Sequence, residues 1–394
     1  MRKNVITGIS LVALSAGTAQ AGGFELQTLD TSMMYADGNQ ASITYATIDA
    51  SVEGVNTAVP GTSSKKQVVA DQTVVNFAAK YDFNDSVSFG LATYRSGSIQ
   101  LSGGNGQDLN LTPTADVDLN SMALLSRYNL NDNLSFIGGI TQNNVRGGNV
   151  STLGGSYDVA STSELGYVAG LAYSIPDIAL RAELTYQPKT KLSTTTGFTP
   201  SALTVGASMA AIAATPGHPL QGADAQTVSA AISDTAATTN LALPDTFAFN
   251  FQTGIADNTL LTASYRKASW GDAQINIDAA AAIATEFDDS ESYSIGVARR
   301  FTEHFSASLT YSQEEGSSAP ATSLFTVSNG SEAISLGLRY TRDNMIISGG
   351  ISQRSVGDVT VDPGFAAPNP YANMGMRYTG NSVTSVGVKV AFTF

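Results

Sequence analysis

Apolar residues alternate with small or polar residues along many short segments of this chain, and no other feature of the sequence restricts the fold as much. In the segment TVVNFAAKYDF, Val75, Phe77 and Tyr81 share one parity, and Asn76 and Lys80 share the other. A period of two is the pattern of a β-strand with one apolar face. Beyond the first 21 residues, no uninterrupted apolar stretch reaches the roughly 18 residues expected of a membrane-spanning helix. The alternation therefore predicts an all-β fold.

Short turns and long loops separate these segments in regular alternation. Turns, most of them containing the Asn and Asp residues that suit tight turns, are predicted at NDS near 85, LNDNL near 132, IPDI near 176, IADNT near 257, FTEHF near 303 and TRDN near 343. Loops rich in Gly, Ser, Thr and Pro lie between them, at 54–66, 99–114, 147–160, 190–244, 271–284, 316–329 and 355–379. Six turns and seven loops separate fourteen strands, an even count that is typical of a closed barrel in the bacterial outer membrane. A soluble sandwich or propeller built from repeats would show a fixed repeat period, which this sequence lacks.

The chain begins with the features of a secretory signal peptide. Arg2 and Lys3 precede an uncharged, mostly apolar run that ends in Ala19, Gln20 and Ala21, so cleavage is expected after Ala21. Without those two cations, 18 basic residues stand against 33 acidic ones, a net charge of −15 that argues against a nucleic-acid partner. Cysteine is absent and only 13% of the residues are charged. An exported chain of this composition must close its backbone hydrogen bonds without disulfides, as a barrel does.

The parity of each strand also predicts which side chains face lipid and which face the lumen. Leu336, Leu338 and Tyr340 would face outward, and Arg339 would face inward. The last predicted strand, SVTSVGVKVAFTF, ends on Phe394. An aromatic residue at this place resembles the signal by which the bacterial barrel-assembly machinery selects its substrates, so Phe394 is expected to be an assembly signal. The expected partners of the barrel are this machinery and the outer-membrane lipids.

Three stretches of the sequence resemble the FadL family, the outer-membrane transporters of long-chain fatty acids and hydrocarbons. GGFELQ is similar to the family's amino terminus, LPDTFAFNFQTGIADNTLLTASYRKASWGD is similar to a strand pair of the family, and FDDSESYSIGVARRF resembles the strand that follows. The matching residues are Gly23, Phe24, Leu26, Leu243, Pro244, Asp245, Tyr265, Ser269 and Trp270.

The resemblance implies a 14-stranded antiparallel transmembrane β-barrel with a short amino-terminal hatch. The expected parts are a signal peptide at 1–21, the hatch at 22–41 and the barrel at 42–394. In this family the outer loops capture the substrate, a pocket near the hatch binds it, and a gap in the wall releases it sideways. Phe24 and Leu26 are therefore candidate substrate-binding residues.

The hatch departs from the family pattern at one place. The family carries Asn-Pro-Ala where this chain has Asn39, Gln40 and Ala41, and the first strand follows these residues at once. The hatch is thus expected to be shorter than in the family. Either the plug is reduced or the barrel is more open.

The longest predicted loop, 190–244, is rich enough in Ala for two short helices separated by Pro216, Gly217 and Pro219. Met209 and Ile212 would give the loop an apolar surface outside the membrane. Such a surface fits a groove that captures a hydrophobic substrate. The alternative is that the loop folds over the barrel mouth and buries these side chains for stability.

A cluster of cations is predicted in the lumen. Its members, Lys80, Arg127, Arg181, Arg339 and Lys389, share the lumen parity with Glu183. Arg127 and Arg181 are the candidates to bind a substrate carboxylate. The alternative is a set of ion pairs that braces the barrel interior.

Catalytic and metal chemistry find little support in the sequence. The two histidines, His218 and His304, fall in a loop and a turn, so a Ser-His pair on a strand is not expected. No catalytic residue, metal site or cofactor is predicted. We therefore expect a bacterial outer-membrane transporter of hydrophobic small molecules. The alternatives are a passive diffusion porin for small polar solutes and, with much less support, a barrel phospholipase.

Overall fold

Fourteen antiparallel strands pair in a closed ring. The structure is a computed structural model that describes residues 18–21, 24–27, 29–58, 66–104, 106–274, 276–277, 285, 287–365 and 369–394. The strands are β1 (Gln40–Ser51), β2 (Gln72–Asp82), β3 (Val87–Ser102), β4 (Thr114–Asn129), β5 (Leu134–Val145), β6 (Thr162–Ile175), β7 (Leu180–Gln187), β8 (Asp245–Ala256), β9 (Thr259–Ser269), β10 (Ser290–Arg300), β11 (Phe305–Glu314), β12 (Ser331–Arg342), β13 (Met345–Val356) and β14 (Asn381–Thr393). Each strand pairs with its neighbours in this order, and β14 pairs with β1 along its whole length. The predicted fourteen-stranded barrel is confirmed.

The two faces of the wall differ as the period of two predicts. On β12, Ile334, Leu336 and Leu338 are 57%, 55% and 52% exposed on the outside, whereas Ser335 is only 8% exposed on the inside. An apolar band of this extent is stable only against lipid. The wall therefore spans a membrane.

Short turns join the strands at one end of the barrel. Asn84 shows how they form, because its Oδ1 accepts hydrogen bonds from the backbone N–H of Ser86 and of Val87, each 2.9 Å long. This side chain replaces backbone acceptors that the turn lacks. The turn between β6 and β7 contains a 3-10 helix, Pro176–Ile178.

The long loops at the other end form structure of their own. Four short strands make a separate sheet, and five others extend the barrel sheet outward. The separate sheet contains Glu53–Asn56, Lys66–Gln67, Val359–Val361 and Met376–Tyr378; the extensions are Gly148–Ser151, Gly155–Val159, Thr190–Pro200, Asp234–Leu243 and Asn276–Ile277. The loop at 190–244 also contains helices α1 (Ala202–Ala213) and α2 (Ala225–Ile232), and 3-10 helices lie at Gln107–Leu109 and Trp270–Asp272. None of the described helices has the length and hydropathy of a membrane-spanning helix.

Apolar side chains from all seven long loops meet in one cluster over the barrel mouth, which we call the cap. Its buried members include Val52, Leu111, Tyr157, Phe198, Trp270, Phe325, Met376 and Tyr378. The ring of Trp270 meets that of Phe287 edge-on, with 5.6 Å between centroids. The hydroxyls of Tyr378 and Thr112 lie 2.6 Å apart. The cap thus closes the mouth with a packed apolar core.

The amino-terminal residues are described in part. Residues 1–17 of the predicted signal peptide lie outside the described residues. Strand Thr18–Ala21 pairs with strand Phe24–Gln27, and the latter pairs with β3 through Phe24 with Ile99 and Glu25 with Ser98. Cleavage after Ala21 stays a prediction.

Candidate functional site

The segment 29–39, which is the part of the expected hatch that directly precedes the first barrel strand, lies inside the barrel, and we call this segment the hatch from here on. Its 3-10 helix, Ser32–Tyr35, buries Met33 and Met34 against side chains of the inner wall. These wall residues are Ala92, Ala123, Leu125 and Val168. Gly90 makes room for both methionines, since a Cβ atom there would lie 2.7 Å from Met33 Cε and nearer still to Met34 Sδ. The hatch is thus packed on the wall formed by β3, β4 and β6.

Two predicted lumen cations hold the hatch through one aromatic ring. The guanidinium carbons of Arg127 and Arg181 lie 4.5 Å and 4.1 Å from the ring centroid of Tyr35. Both distances are within the range of cation–π attraction. Arg127 also donates a hydrogen bond of 2.8 Å to the backbone carbonyl of Met34.

Glu183 and Lys80 bind the two ends of the hatch. The hydroxyl of Thr31 donates a hydrogen bond to Oε1 of the buried Glu183. Lys80 Nζ donates to the backbone carbonyls of Ala36 and Gly38, and it forms an ion pair with the neighbouring Asp82 at 2.8 Å. The hatch is therefore contacted by four of the predicted lumen charges, Lys80, Arg127, Arg181 and Glu183.

A cavity of about 430 Å³ lies beside the hatch. One wall, which we call the apolar wall, is formed mainly by apolar side chains of the hatch, β2, β3 and β6, with Asn76 among them; the apolar members are Leu29, Met33, Val74, Ala78, Ala92 and Val168. The opposite wall carries hydroxyl groups, among them those of Thr44, Ser264, Ser294, Ser308, Ser335 and Ser385. Arg181, Arg266 and Lys389 supply cations to the lining. The cavity can thus hold an apolar chain on one side and water on the other.

The barrel wall is incompletely paired between β2 and β3. Their ladder runs from Asp82 with Ser88 only to Ala78 with Ala92. Above it, the six residues 72–77 of β2 face β3 without ladder pairing over about 20 Å of strand. We call the facing parts of the wall, 72–77 of β2 and 93–97 of β3, the seam.

A bulge in β3 accompanies the seam. The register between β3 and β4 shifts between Arg95 and Gly97, which leaves Ser96 as the extra residue. A bulge bends its strand and increases the local twist. Ser96 is buried, and Ser121 of β4 donates a hydrogen bond of 2.7 Å to its Oγ. Above the bulge, β3 contacts the residues that precede β2, since Val69 bridges to Leu101 and the N–H of Ser102 donates a hydrogen bond of 2.9 Å to the carbonyl of Val68, so the seam is closed at both ends.

The seam borders the apolar wall of the cavity. Val74 and Phe77 of β2 and Ala92 and Thr93 of β3 all line the cavity. Phe77 is also 43% exposed on the outer face of the barrel. The cavity therefore reaches the seam.

The remaining candidate residues lie apart from the cavity or are described in part. Phe24 and Leu26 lie on a described strand, but their side chains are outside the described part. Met209 and Ile212 are half-buried on α1, and α1 packs on α2. Neither lines the described cavity.

The predicted hatch signature and the last residue meet at the bottom of the wall. Asn39 Oδ1 accepts a hydrogen bond of 2.8 Å from the backbone N–H of Asp82. Gln40 and Ala41 already belong to β1. The backbone N–H of Phe394 donates to the carbonyl of Asn39 over 3.1 Å, so the chain end lies where the hatch enters the wall.

Comparison with solved structures identifies the fold. The chain superposes on a FadL homologue from Pseudomonas aeruginosa with a TM-score of 0.73 and 14% identity, covering 92% of both chains. The toluene transporter TodX of P. putida gives a TM-score of 0.59 at 12% identity, covering 91% of this chain and 90% of that one. The toluene transporter TbuX of Ralstonia pickettii gives 0.58 at 12% identity with the same coverage. No protein-family profile and no curated protein sequence matches the chain. The chain therefore has the FadL-type fold, a closed fourteen-stranded β-barrel with its amino-terminal segment inside.

Proposed function

We propose that this protein belongs to the FadL family and carries hydrophobic small molecules across the bacterial outer membrane, releasing them sideways through the seam. The observation that carries the proposal is the contact between the seam and the apolar wall of the cavity. The names of the structural neighbours, a FadL homologue and two toluene transporters, agree with this class of substrate.

The lateral route follows from where apolar surface is available. An apolar molecule is stabilised by about 25 cal/mol for each Å² that it buries in an apolar environment. The hydroxyl wall offers little such surface, whereas the apolar wall leads to the seam and from there to lipid. A substrate on this path stays in apolar surroundings throughout.

The preferred substrates are long-chain fatty acids or related hydrocarbons. Arg181 borders the cavity and could bind a carboxylate, while the chain of a fatty acid would lie on the apolar wall. Arg127 binds the hatch, so its contribution to substrate binding would act through Tyr35. Phe24 and Leu26 would contact substrate near the hatch, and Met209 and Ile212 would contribute to capture outside.

A passive porin is the second candidate, and two features count against it. The cap fills the mouth with packed apolar side chains, and the hatch occupies the lumen. A porin needs a continuous aqueous path through both. Planar-bilayer conductance separates the two functions: a large steady conductance without binding of a labelled fatty acid would favour the porin.

An engineered disulfide tests the lateral route. Because the sequence contains no cysteine, the two introduced residues supply the only thiols. Phe77 and Thr93 face each other just above the last ladder pair, so Phe77→Cys with Thr93→Cys would close the seam when oxidised. Ala79→Cys with Leu91→Cys is the matched control within the intact ladder.

Oxidation of the seam pair should abolish uptake of a labelled long-chain fatty acid, and reduction should restore it. The control pair should transport equally in both redox states. Equal uptake by the oxidised and reduced seam pair would reject lateral release.

A further inference from the structure

One charged side chain bridges the seam. Arg95 of β3 donates hydrogen bonds across it to Oε1 of Gln72 and, over 3.5 Å, to the backbone carbonyl of Thr73, both on β2. Its Nε lies 3.6 Å from Oδ1 of Asp118 on β4. The side chains of Arg95 and Asp118 are each only 13% exposed.

The geometry suits an arginine. A guanidinium is planar and carries donors that point in several fixed directions, so one group can bind both β2 and β4. Asp118 holds one side of it and leaves the terminal nitrogens for β2. Gln100 donates a further hydrogen bond of 3.2 Å to Asp118, which fixes this carboxylate on the β3–β4 side.

Side-chain bonds of this kind break more easily than a β-ladder. A ladder bond opens together with its neighbours along the strand, whereas a single side chain can rotate away alone. Between Ala78 and Ala92 below and the bulge above, the described contacts across the seam come from the side chains of Arg95 and Thr93. The width of the seam therefore depends on few and separable contacts.

We propose that Arg95 is the latch of the seam, a positioning residue that holds β2 against β3 and whose release widens the lateral exit. Asp118 positions the latch from the side of β4. The inference deepens the proposed function, because it assigns control of the exit to a named side chain. Its role in transport rests on that function, whereas its effect on the width of the seam does not.

The seam width can be measured without any substrate. Val75 on β2 and Met122 on β4 are exposed on the outer face, and the seam lies between them. Spin labels on Val75→Cys and Met122→Cys report the width through the dipolar broadening of their continuous-wave spectrum, which is sensitive at separations of about two strand spacings, roughly 10 Å. Val75→Cys with Val388→Cys is the matched control pair, because it spans the intact β1 between β2 and β14.

Arg95→Ala should shift the distance between labels 75 and 122 to longer values, by up to one strand spacing of about 5 Å. The distance between labels 75 and 388 should stay unchanged, which shows that the barrel itself is intact. Arg95→Lys should give an intermediate distribution, since an ammonium keeps the charge but not the planar fork. Gln353→Ala is the control variant, because the side chain of Gln353 on β13 accepts a hydrogen bond from Thr384 on β14, away from the seam.

An unchanged distance between labels 75 and 122 in Arg95→Ala would overturn the latch. A shift of equal size in both label pairs would also overturn it, because the change would then concern the whole barrel. The outcome is independent of the disulfide experiment: a widened seam with unimpaired uptake by the oxidised seam pair would leave the latch standing and reject lateral release.

Discussion

The hydroxyl oxygen of Thr93 accepts a hydrogen bond of 2.9 Å from the backbone N–H of Phe77. A side chain thus takes the place of a backbone carbonyl at the first position beyond the β2–β3 ladder. An unpaired backbone N–H next to lipid is costly, so this bond decides where the seam begins.

Replacement of Thr93 by Val should lengthen the seam. Val keeps the shape but removes the acceptor, and a buried donor left without a partner costs about 1–3 kcal/mol. We expect faster hydrogen–deuterium exchange in the peptide that contains Phe77. Thr47→Val, on the intact ladder of β1, is the control and should leave exchange in its own peptide unchanged. Equal exchange at Phe77 in wild type and Thr93→Val would contradict the assignment.

Replacement of Gly90 by Val should displace the hatch. The added side chain would occupy the space of Met33 and Met34, and overpacking of this kind typically costs about 1–3 kcal/mol. We expect faster proteolysis within the hatch and a higher bilayer conductance, while the barrel still assembles. At Gly138 a Cβ atom would meet nothing within 4 Å, so Gly138→Val is the matched control. A hatch as protease-resistant as in the control would refute the packing argument.

The barrel could be predicted from the sequence because strand parity and turn residues, the features that determine it, are local. The parity of Leu336, Leu338 and Tyr340 assigns a face without any knowledge of the neighbouring strands. The Asn residues of the turns act on N–H groups two and three positions away, as Asn84 does. Strand number and lipid-facing residues follow from these two signals.

The contacts that hold the hatch and the position of the seam could not be predicted in this way, because they join residues far apart in the sequence. Tyr35 meets Arg127 and Arg181, which lie more than 90 positions further along the chain. The parity of β3 does shift at Arg95, Ser96 and Gly97, and this break could have indicated the bulge. That residues 72–77 do not pair with β3, although pairing resumes between Val69 and Leu101, depends on the whole barrel. The loops likewise contain strands whose partners lie in other loops.

Loss of the Tyr35 ring should loosen the hatch. Each cation–π contact contributes roughly 0.5–2 kcal/mol, depending on its exposure. Tyr35→Ala should therefore increase hydrogen–deuterium exchange over residues 31–38, whereas Tyr35→Phe should stay close to wild type because it keeps the ring. Similar exchange in the Ala and Phe variants would show that Arg127 and Arg181 do not act through this ring.

Tyr157 in the cap should resist ionisation in alkali. Burial of its side chain raises the pKa of Tyr157 to about 12, and the hydroxyl of Thr152 partly offsets the increase. Since the neutral form is favoured in the folded state, its contribution to stability is complete below pH 10 and is lost as the pH rises through about 12. In ultraviolet titration, the component that titrates near pH 12 should be smaller by one tyrosine in Tyr157→Phe than in wild type. Identical titration curves for wild type and variant would contradict this.

Arg181 and Arg127 should affect transport in different ways. Arg181 borders the cavity, so Arg181→Gln should reduce the affinity for a labelled fatty acid by about 10- to 100-fold, the loss of one charge-assisted hydrogen bond of roughly 1.5–3 kcal/mol. An uncharged hydrocarbon of similar length should bind as before, and barrel yield should not change. Arg127→Gln should instead increase exchange in the hatch, because Arg127 donates to the carbonyl of Met34.

Arg299→Gln is the matched control for both variants, since this exposed arginine lies on the outside of β10. It should leave affinity and hatch exchange at wild-type values. Equal losses of fatty acid and hydrocarbon binding in Arg181→Gln would indicate that Arg181 supports the hatch alone. The carboxylate would then have to bind elsewhere, and Arg266 and Lys389 are the other cations that line the described cavity and could receive it.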